Sequence, residues 1–420
     1  MFQIPEAKPF TLSEGQENAQ NAFIAMLNSP VDHILVIEGY AGTGKSTLVD
    51  TLMKNLDSFM KMAQLLNPSA PTYEVALTAT TNKAAEVFSQ MTGMSVTTIH
   101  TYLELFVHKD FKTGKSTLKY KQGDPKFCKL LIIDEASMID KDLLRLIFER
   151  TENCKIVFIG DPAQILPINS HNAPAFCSGF TTATMDEVLR QAEGSPIIAA
   201  ATSFRNTVNT GIWTPFKPDG QAIQVVERED FYNLIIDEFT RPGWKFRDSK
   251  VLAWTNACVI EYNHAINGKV SGTAEISVGD YVVNNKMVTN GSSKINTDQQ
   301  VYVTKIEEDC EEFGVRGRLV QLDYKHSFFF PDSLDAKAAR IKQAKANDEY
   351  SVLKHIDERW IDLRSAFAQT YNKSQGSTYD MVFLDLDDLN KCHNANAIAR
   401  YLYVGFSRAR HRVYVTGTIG

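Results

Sequence analysis

The stretch "GYAGTGKS", residues 39–46, places three glycines, a lysine and a hydroxyl at the spacing G-x-x-x-x-G-K-[ST]. That pattern lets backbone N–H groups close around phosphate oxygens. Gly39, Gly42 and Gly44 free the chain to turn inward, and the helix that follows adds the partial positive charge of its N-terminus. Gly39, Ala41, Gly42, Thr43, Gly44, Lys45, Ser46 and Thr47 are therefore read as the ATP-binding segment. Lys45 is placed for the outer phosphates and the Ser46 hydroxyl for Mg²⁺. Further on, "LLIIDEAS" (130–137) ends an apolar run on two carboxylates. Asp134 is the candidate second Mg²⁺ ligand, and Glu135 the group that orients or deprotonates an attacking water. A third apolar run, "FIGDPAQILPI" (158–168), delivers Gln164, an uncharged side chain able to hydrogen-bond both a γ-phosphate and that water. Together these residues point to nucleoside triphosphate hydrolysis, with ATP and Mg²⁺ as the expected cofactors.

Such groups converge only if several strands end at one edge. "HILVIEG" (33–39), "YEVALTA" (73–79), "CKLLIID" (128–134) and "CKIVFIG" (154–160) are short, apolar and rich in β-branched residues. Helical spacing lies between them, at 45–66 and 137–151. Alternation of this kind predicts a parallel α/β sheet, whose ligands gather at the strand C-terminal ends. Residues 101–127 interrupt it with six lysines against three acidic residues and five interleaved aromatics, and "KTGKS" carries a turn signal, so a small hairpin is expected. Strand pattern returns at "KVLAWTN" (250–256). Closely spaced short strands from about 270 to 330 predict a small barrel, and one charged helix is expected at about 333–358. A last strand–helix–strand, "MVFLDLDD" (381–388), a helix at about 394–402 and "RVYVTGT" (412–418), closes the chain. "YVGFSRAR" (403–410) reads as a strand-like run delivering Ser407, Arg408 and Arg410.

The expected organisation is one α/β domain over 1–180, with its hairpin at 101–127, and a second over 181–265 and 360–420. Residues 266–359 are inserted into the second as the barrel and charged helix. The net charge of −6 advertises no nucleic-acid partner, but binding requires only a local basic track. Six scattered cysteines with no C-x-x-C pair suggest neither a zinc site nor a disulfide framework. The N-terminus lacks a signal-peptide pattern, and no stretch reaches the roughly 18 apolar residues of a membrane span. A soluble, cytoplasmic protein with no membrane partner is expected.

In combination these motifs resemble the superfamily 1 helicases, in the RecD-like branch (superfamily 1B) that includes the phage Dda-type helicases. "LSEGQENA" (12–19) resembles the adenine-reading segment, which implies Gln16 as the adenine contact. "GYAGTGKS", "IIDEAS" and "GDPAQILP" resemble motifs I, II and III. "VALTATTNKAAEVF" (75–88) and "TTIHTYL" (97–103) resemble motifs Ia and Ib. "EVLRQAEGSPII" (187–198), "AWTN" (253–256), "FAQTYNKSQGSTYD" (367–380) and "YVGFSRAR" resemble motifs IV, IVa, V and VI. The implied fold is two RecA-like parallel-sheet domains, with a hairpin inserted in the first and an SH3-like β-barrel in the second. The implied activity is ATP-driven 5′→3′ translocation on single-stranded DNA with unwinding of duplex, in phage-type replication, recombination or repair. Arg190 and Arg408 match the arginines that reach the γ-phosphate from the second domain, and Gly376 joins the ATP-binding set. Arg410 is either a third such group or a surface residue.

The implied DNA-facing residues are Thr81, Asn82, Lys83, His100, Thr370, Asn372 and Lys373, hydroxyl, amide and basic groups suited to backbone phosphates. Asn82 and Asn372 stand where Dda-type proteins usually carry histidine, and His100 has an alternative reading as a core residue. Phe111 and Tyr120 are the candidate strand-separating wedge, or else simply pack the hairpin. In the barrel, "INTDQQV" (295–301) replaces the usual Asn-Gly-containing turn. DNA contact and a purely structural role are both open for that domain. The resemblance implies single-stranded DNA and single/double-strand junctions as partners, with single-strand-binding or replication proteins beside them, and a functional monomer. The competing activity is a DNA-dependent ATPase that translocates and displaces bound proteins with little unwinding.

Overall fold

The computed structural model describes residues 11–68, 70–109, 116–167, 170, 172–187, 194–273 and 275–419. Buried apolar runs become strands covered on both faces. Leu130, Leu131, Ile132 and Ile133 are all fully buried in the strand Lys129–Asp134. That strand lies between Glu74–Ala79 and Lys155–Gly160, and Ile34–Gly39 pairs with Lys155–Gly160 on the far side. All of these pairings are parallel, and Val96–Thr98 and Thr181–Met185 complete a six-stranded sheet. The sheet thus runs past the boundary expected at 180. Phe23, Leu48, Leu52 and Phe88, from helices Glu14–Asn28, Lys45–Leu66 and Asn82–Thr92, join the strand side chains in its core. Lys155 is also buried, with its ammonium donating to Ser29 O and Asp32 O at 2.6 Å each. It thereby satisfies two carbonyls in the turn that follows helix Glu14–Asn28.

The chain divides into two units, residues 1–105 with 120–193, and residues 106–119 with 194–420. The ribbon Leu105–Lys109 and Ser116–Tyr120 forms as the turn signal implied, yet residues 106–119 fall with the second unit and not the first.

The second unit carries a five-stranded parallel sheet in the order Ile223–Val225, Ala409–Thr416, Tyr379–Asp385, Ser249–Ala253, Ala368–Thr370. Its inserted domain is a curled antiparallel sheet with a separate core around Val282, Val301, Val303, Val320, Leu322 and Phe328. The strand Leu363–Ser365, beyond the boundary expected at 359, belongs to this sheet. The charged segment forms two helices, Leu334–Ala346 and Tyr350–Arg359, separated where Asp348 takes a φ of 54°. Ile356 and the fully buried Trp360 pack on Val315 and Phe329, so this region is more than a solvated element.

Two other sequence readings change. Residues 403–407 are the last turns of helix Ala395–Ser407, and the strand begins only at Ala409. Phe406 packs on Phe204 and Phe216, at centroid distances of 5.5 and 5.2 Å. Being apolar on nearly every side, this helix end mimics a buried strand in sequence. Likewise "SMIDKDLLRLIFERT" divides into a 3-10 turn at Ala136–Met138 and a helix at Lys141–Glu149, capped by Asp140.

At the sheet edge, the buried Asn263 side chain accepts from Phe367 N and Ala368 N at 3.1 and 2.9 Å and donates to Ala368 O at 3.1 Å. It substitutes for a missing neighbouring strand. Asn263→Ala is expected to lower stability by about 1–3 kcal/mol for each group left unsatisfied. Faster hydrogen exchange at Phe367 and Ala368, with a lower denaturation midpoint, is the expected readout; unchanged exchange there would remove this role.

Candidate functional site

The phosphate loop follows the strand Ile34–Gly39 directly. Gly42 and Gly44 have φ of 89° and 80°, which glycine reaches without a Cβ penalty. A Cβ on Gly39 would come within 2.8 Å of Lys45 Cγ and Thr43 Oγ1. Gly44 is the N-cap of helix Lys45–Leu66 and supplies no side-chain cap, so the first-turn N–H groups suit an external anion. The Lys45 ammonium folds over the loop, donating to Gly39 O at 2.5 Å and Tyr40 O at 3.1 Å. These features fit a polyphosphate.

Asp134 ends the strand Lys129–Asp134, and its Oδ1 accepts from Glu135 N at 2.8 Å. Burial pushes the Asp134 carboxyl above its ordinary range, against the opposing effects of the Glu135 N–H and the Lys45 charge. Glu135 has a φ of 53°, a left-handed conformation that costs a non-glycine residue roughly 1–2 kcal/mol. Thr80 holds the turn, with its N–H donating to Asp134 O at 3.2 Å and its hydroxyl to Glu135 O at 3.1 Å. The strand Lys155–Gly160 ends beside it: a Cβ on Gly160 would lie 2.9 Å from Ala136 N. Beyond Gly160, the buried Asp161 accepts from Ala163 N at 2.9 Å, and its carbonyl accepts from the N–H of the buried Gln164 at 3.2 Å. The loop, Asp134, Glu135 and Gln164 thus stand at the C-terminal edge of three adjacent parallel strands.

Gln16 lies against the phosphate loop. Its carboxamide is fully buried, with Oε1 accepting from Ser13 N at 3.0 Å. Nε2 donates to Thr43 O and Gly44 O at 3.4 and 3.3 Å. Both ends are used in capping helix Glu14–Asn28 and bracing the phosphate loop. Arg190 and Phe111 lie outside the described residues.

Among the DNA-facing candidates, Thr81, Asn82 and Lys83 follow the strand Glu74–Ala79, and His100 follows its neighbour Val96–Thr98. Thr81 caps helix Asn82–Thr92 by accepting from Ala84 N at 3.1 Å, and Lys83 pairs with Glu86 at 3.1 Å. Burial holds the His100 pKa below its ordinary value, with the Asp140 charge opposing, which leaves the ring neutral at pH 7. The Arg150 guanidinium covers Tyr120, 4.7 Å from the ring centroid, while donating to Gly123 O and Asp124 O.

In the second unit, Thr370 caps the short helix Tyr371–Ser374 that carries Asn372 and Lys373. Gly376, with a φ of 73°, leads to Ser377, whose carbonyl accepts from Arg408 Nη1 at 3.1 Å. Arg408 is buried and also donates to Ser407 Oγ at 2.9 Å through Nη2. Arg410 forms an exposed pair with Asp380 at 3.1 Å, in accord with its surface reading. A Cβ on Gly405 would lie 2.9 Å from Tyr371, so "YVGFSRAR" and the motif V helix pack face to face through that glycine.

A model of AAA domains matches residues 11–221, just over half of the chain. The chain belongs to the AAA-domain family, as a superfamily 1B helicase. Residues 365–416 of the helicase match a UvrD-like helicase C-terminal domain. The ATP-dependent DNA helicase dda of Enterobacteria phage T4 is 23% identical over 457 residues, covering 96% of this chain and 98% of its own. The ATP-dependent RecD2 DNA helicase of Deinococcus radiodurans is 24% identical over 402 residues, 92% of this chain and 47% of its own. Solved structures share the fold. A Pif1 helicase from Bacteroides in complex with ADP-AlF3 and single-stranded DNA has a TM-score of 0.52 at 16% identity, covering 98% of this chain and 94% of its own. A structure of two Pif1 helicases at forked double-stranded DNA has a TM-score of 0.54 at 17% identity, covering 98% and 93%.

Thr80, Gly160, Asp161 and Asp388 of the helicase were not singled out by sequence reasoning. Asp388 accepts from Trp254 N, Thr255 N and Thr255 Oγ1 at 2.8, 2.7 and 2.7 Å, and so shapes the "AWTN" turn from 133 residues away. Asp161 lies inside the quoted "GDPAQ", where a short polar residue after a buried strand was the available signal. Gly160 is the glycine of that same segment, and no local signal marks Thr80 or Asp388.

Proposed function

We propose that this helicase hydrolyses ATP to translocate 5′→3′ along single-stranded DNA and to unwind the duplex ahead of it. The observation that carries the reading is the gathering of Lys45, Asp134, Glu135 and Gln164 at one edge of one parallel sheet. In the proposed chemistry, Lys45 balances charge on the outer phosphates, as do Arg190 and Arg408 at the terminal phosphate. Glu135 accepts the proton of the attacking water, which Gln164 orients. Ser46 and Asp134 would hold Mg²⁺, which supplies charge neutralisation on the phosphate oxygens when bound. Thr81, Asn82, Lys83, His100, Thr370, Asn372 and Lys373 grip the strand through its backbone, without sequence readout. Alternating grip by two sets of contacts, driven by gain and loss of the terminal phosphate, converts hydrolysis into movement.

The proposed setting is phage-type DNA replication, recombination or repair, inside the cell, with single-strand-binding or replication proteins as neighbours and a monomer as the working unit. Among the described residues no helix is long and apolar enough to cross a membrane. The deciding experiment is unwinding of duplexes bearing either a 5′ or a 3′ single-stranded tail, with ATP and Mg²⁺. Unwinding from the 5′ tail alone is expected; unwinding from the 3′ tail alone would overturn the polarity.

A second reading, displacement of bound proteins with little unwinding, draws on one observation. One face of Tyr120, a candidate wedge, is already covered by Arg150. Replacing Phe111 and Tyr120 together by alanine is expected to leave DNA-stimulated ATPase within about twofold and to cut unwinding at least about tenfold, since base stacking on an aromatic contributes about 1–3 kcal/mol. Equal unwinding by the variant would take the wedge role from both residues.

A further inference from the structure

The motif V lysine does not stand alone. Lys373 donates to Asn285 Oδ1, and its ammonium lies 2.8 Å from Asp298 Oδ1. Both partners belong to the inserted barrel, and Asp298 lies in the "INTDQQV" turn that departs from the usual Asn-Gly pattern. That turn is built rigidly. The buried Asn284 donates from Nδ2 to Ile295 O and Asn296 O at 3.3 and 3.0 Å, and its carbonyl accepts from Asp298 N at 2.7 Å. Gln299 Oε1 accepts from Asn296 N at 2.9 Å. Asp298 itself has a φ of 60°, a conformation that Asp and Asn tolerate better than other non-glycine residues. Asn285 is fixed in turn, with its N–H donating to Asp362 O at 2.7 Å and Nδ2 to Asp362 Oδ2 at 2.9 Å. The backbone that bears the carboxylate is therefore held in place before any ligand arrives, and the Lys373–Asp298 pair stays partly open to solvent.

We propose that Asp298 competes with a nucleic-acid phosphate for Lys373, so that the inserted barrel sets the strength of this grip on the strand. The inference rests on the nucleic-acid reading of motif V given above. A phosphate reaching Lys373 replaces one anion by another, so the net gain from that contact is small. Weak, exchangeable contacts suit a protein that must release each phosphate as it advances. Asp298 acts through Lys373 and need not touch the strand.

The test is binding of a fluorescein-labelled oligo-dT by anisotropy across a sodium chloride series, without nucleotide. Asp298→Asn keeps the left-handed backbone and a similar shape while removing the competing charge. It is expected to bind about two- to fivefold tighter at low salt, the gain open to one exposed ion pair. Its log–log salt dependence should steepen by about 0.7, the increment for one more phosphate contact on a single strand. The double variant Asp298→Asn, Lys373→Ala separates causes, and there both gains should vanish. If the single variant matches the unaltered protein in affinity and slope, Asp298 does not restrain Lys373. If the gain persists without Lys373, Asp298 acts by general repulsion of the strand, and the proposal is overturned. Failure of the unaltered protein to bind oligo-dT would instead reject the nucleic-acid reading, and this proposal with it.

Discussion

Lys45→Ala is expected to abolish ATP turnover, with kcat falling at least about 10³-fold, above the 10²–10³ typical of a single uncharged oxyanion donor. Two effects add. The substitution removes the cation nearest the outer phosphates, and it removes the ammonium that ties Gly39 O and Tyr40 O together. Arginine should not rescue the loss. Its planar fork spreads the charge over five donors and cannot act as the compact point charge that an ammonium supplies. Steady-state hydrolysis with saturating single-stranded DNA gives the rate, and a fluorescent ATP analogue reports nucleotide affinity. The fold should persist, because helix Lys45–Leu66 is anchored by Leu48, Leu52 and Leu56, all buried. Turnover within tenfold of the unaltered protein would remove Lys45 from the chemistry.

Glu135→Gln should separate binding from hydrolysis. Glutamine keeps the shape of the side chain and stands on the same left-handed turn, which Thr80 continues to hold. Nucleotide and DNA binding should therefore be close to normal. The proton acceptor is lost, and turnover should fall about 10²–10⁴-fold, the usual contribution of a positioned general base. A single-turnover measurement distinguishes slow chemistry from slow product release. Unchanged turnover would reassign Glu135 to a structural role and leave the base to be sought among the other carboxylates near this edge. One of these is Glu38, whose pKa is raised by burial and by the neighbouring Asp161 charge.

Much of the first unit was legible because its chemistry is written in contiguous segments. A glycine-rich turn at this spacing between a strand and a helix suits an anion through its own backbone N–H groups, and an apolar run ending in Asp134 and Glu135 places them at a strand end. Gln16 shows where that legibility stops. Its carboxamide is consumed by Ser13 and by two carbonyls 27 and 28 residues away, partners that no local pattern names. The last turns of helix Ala395–Ser407 show another limit. A segment buried on nearly all sides loses the periodicity that distinguishes helix from strand, and only the packing of Phe406 on Phe204 and Phe216 makes the difference visible.

By itself the sequence determined the phosphate loop, the carboxylate strand, the alternation that makes a parallel sheet, and the order of the motifs along the chain. All of these follow from residues within a few positions of one another, where propensity and spacing act directly. Only the tertiary structure decided which strands are neighbours, that Asn263 completes the edge beside motif V, that Asp388 shapes the "AWTN" turn, and that Asp298 faces Lys373. Those pairings span about 75 to 135 residues of chain. They are selected by which arrangement buries the apolar faces together, and that energy belongs to the whole fold and to no single segment of it.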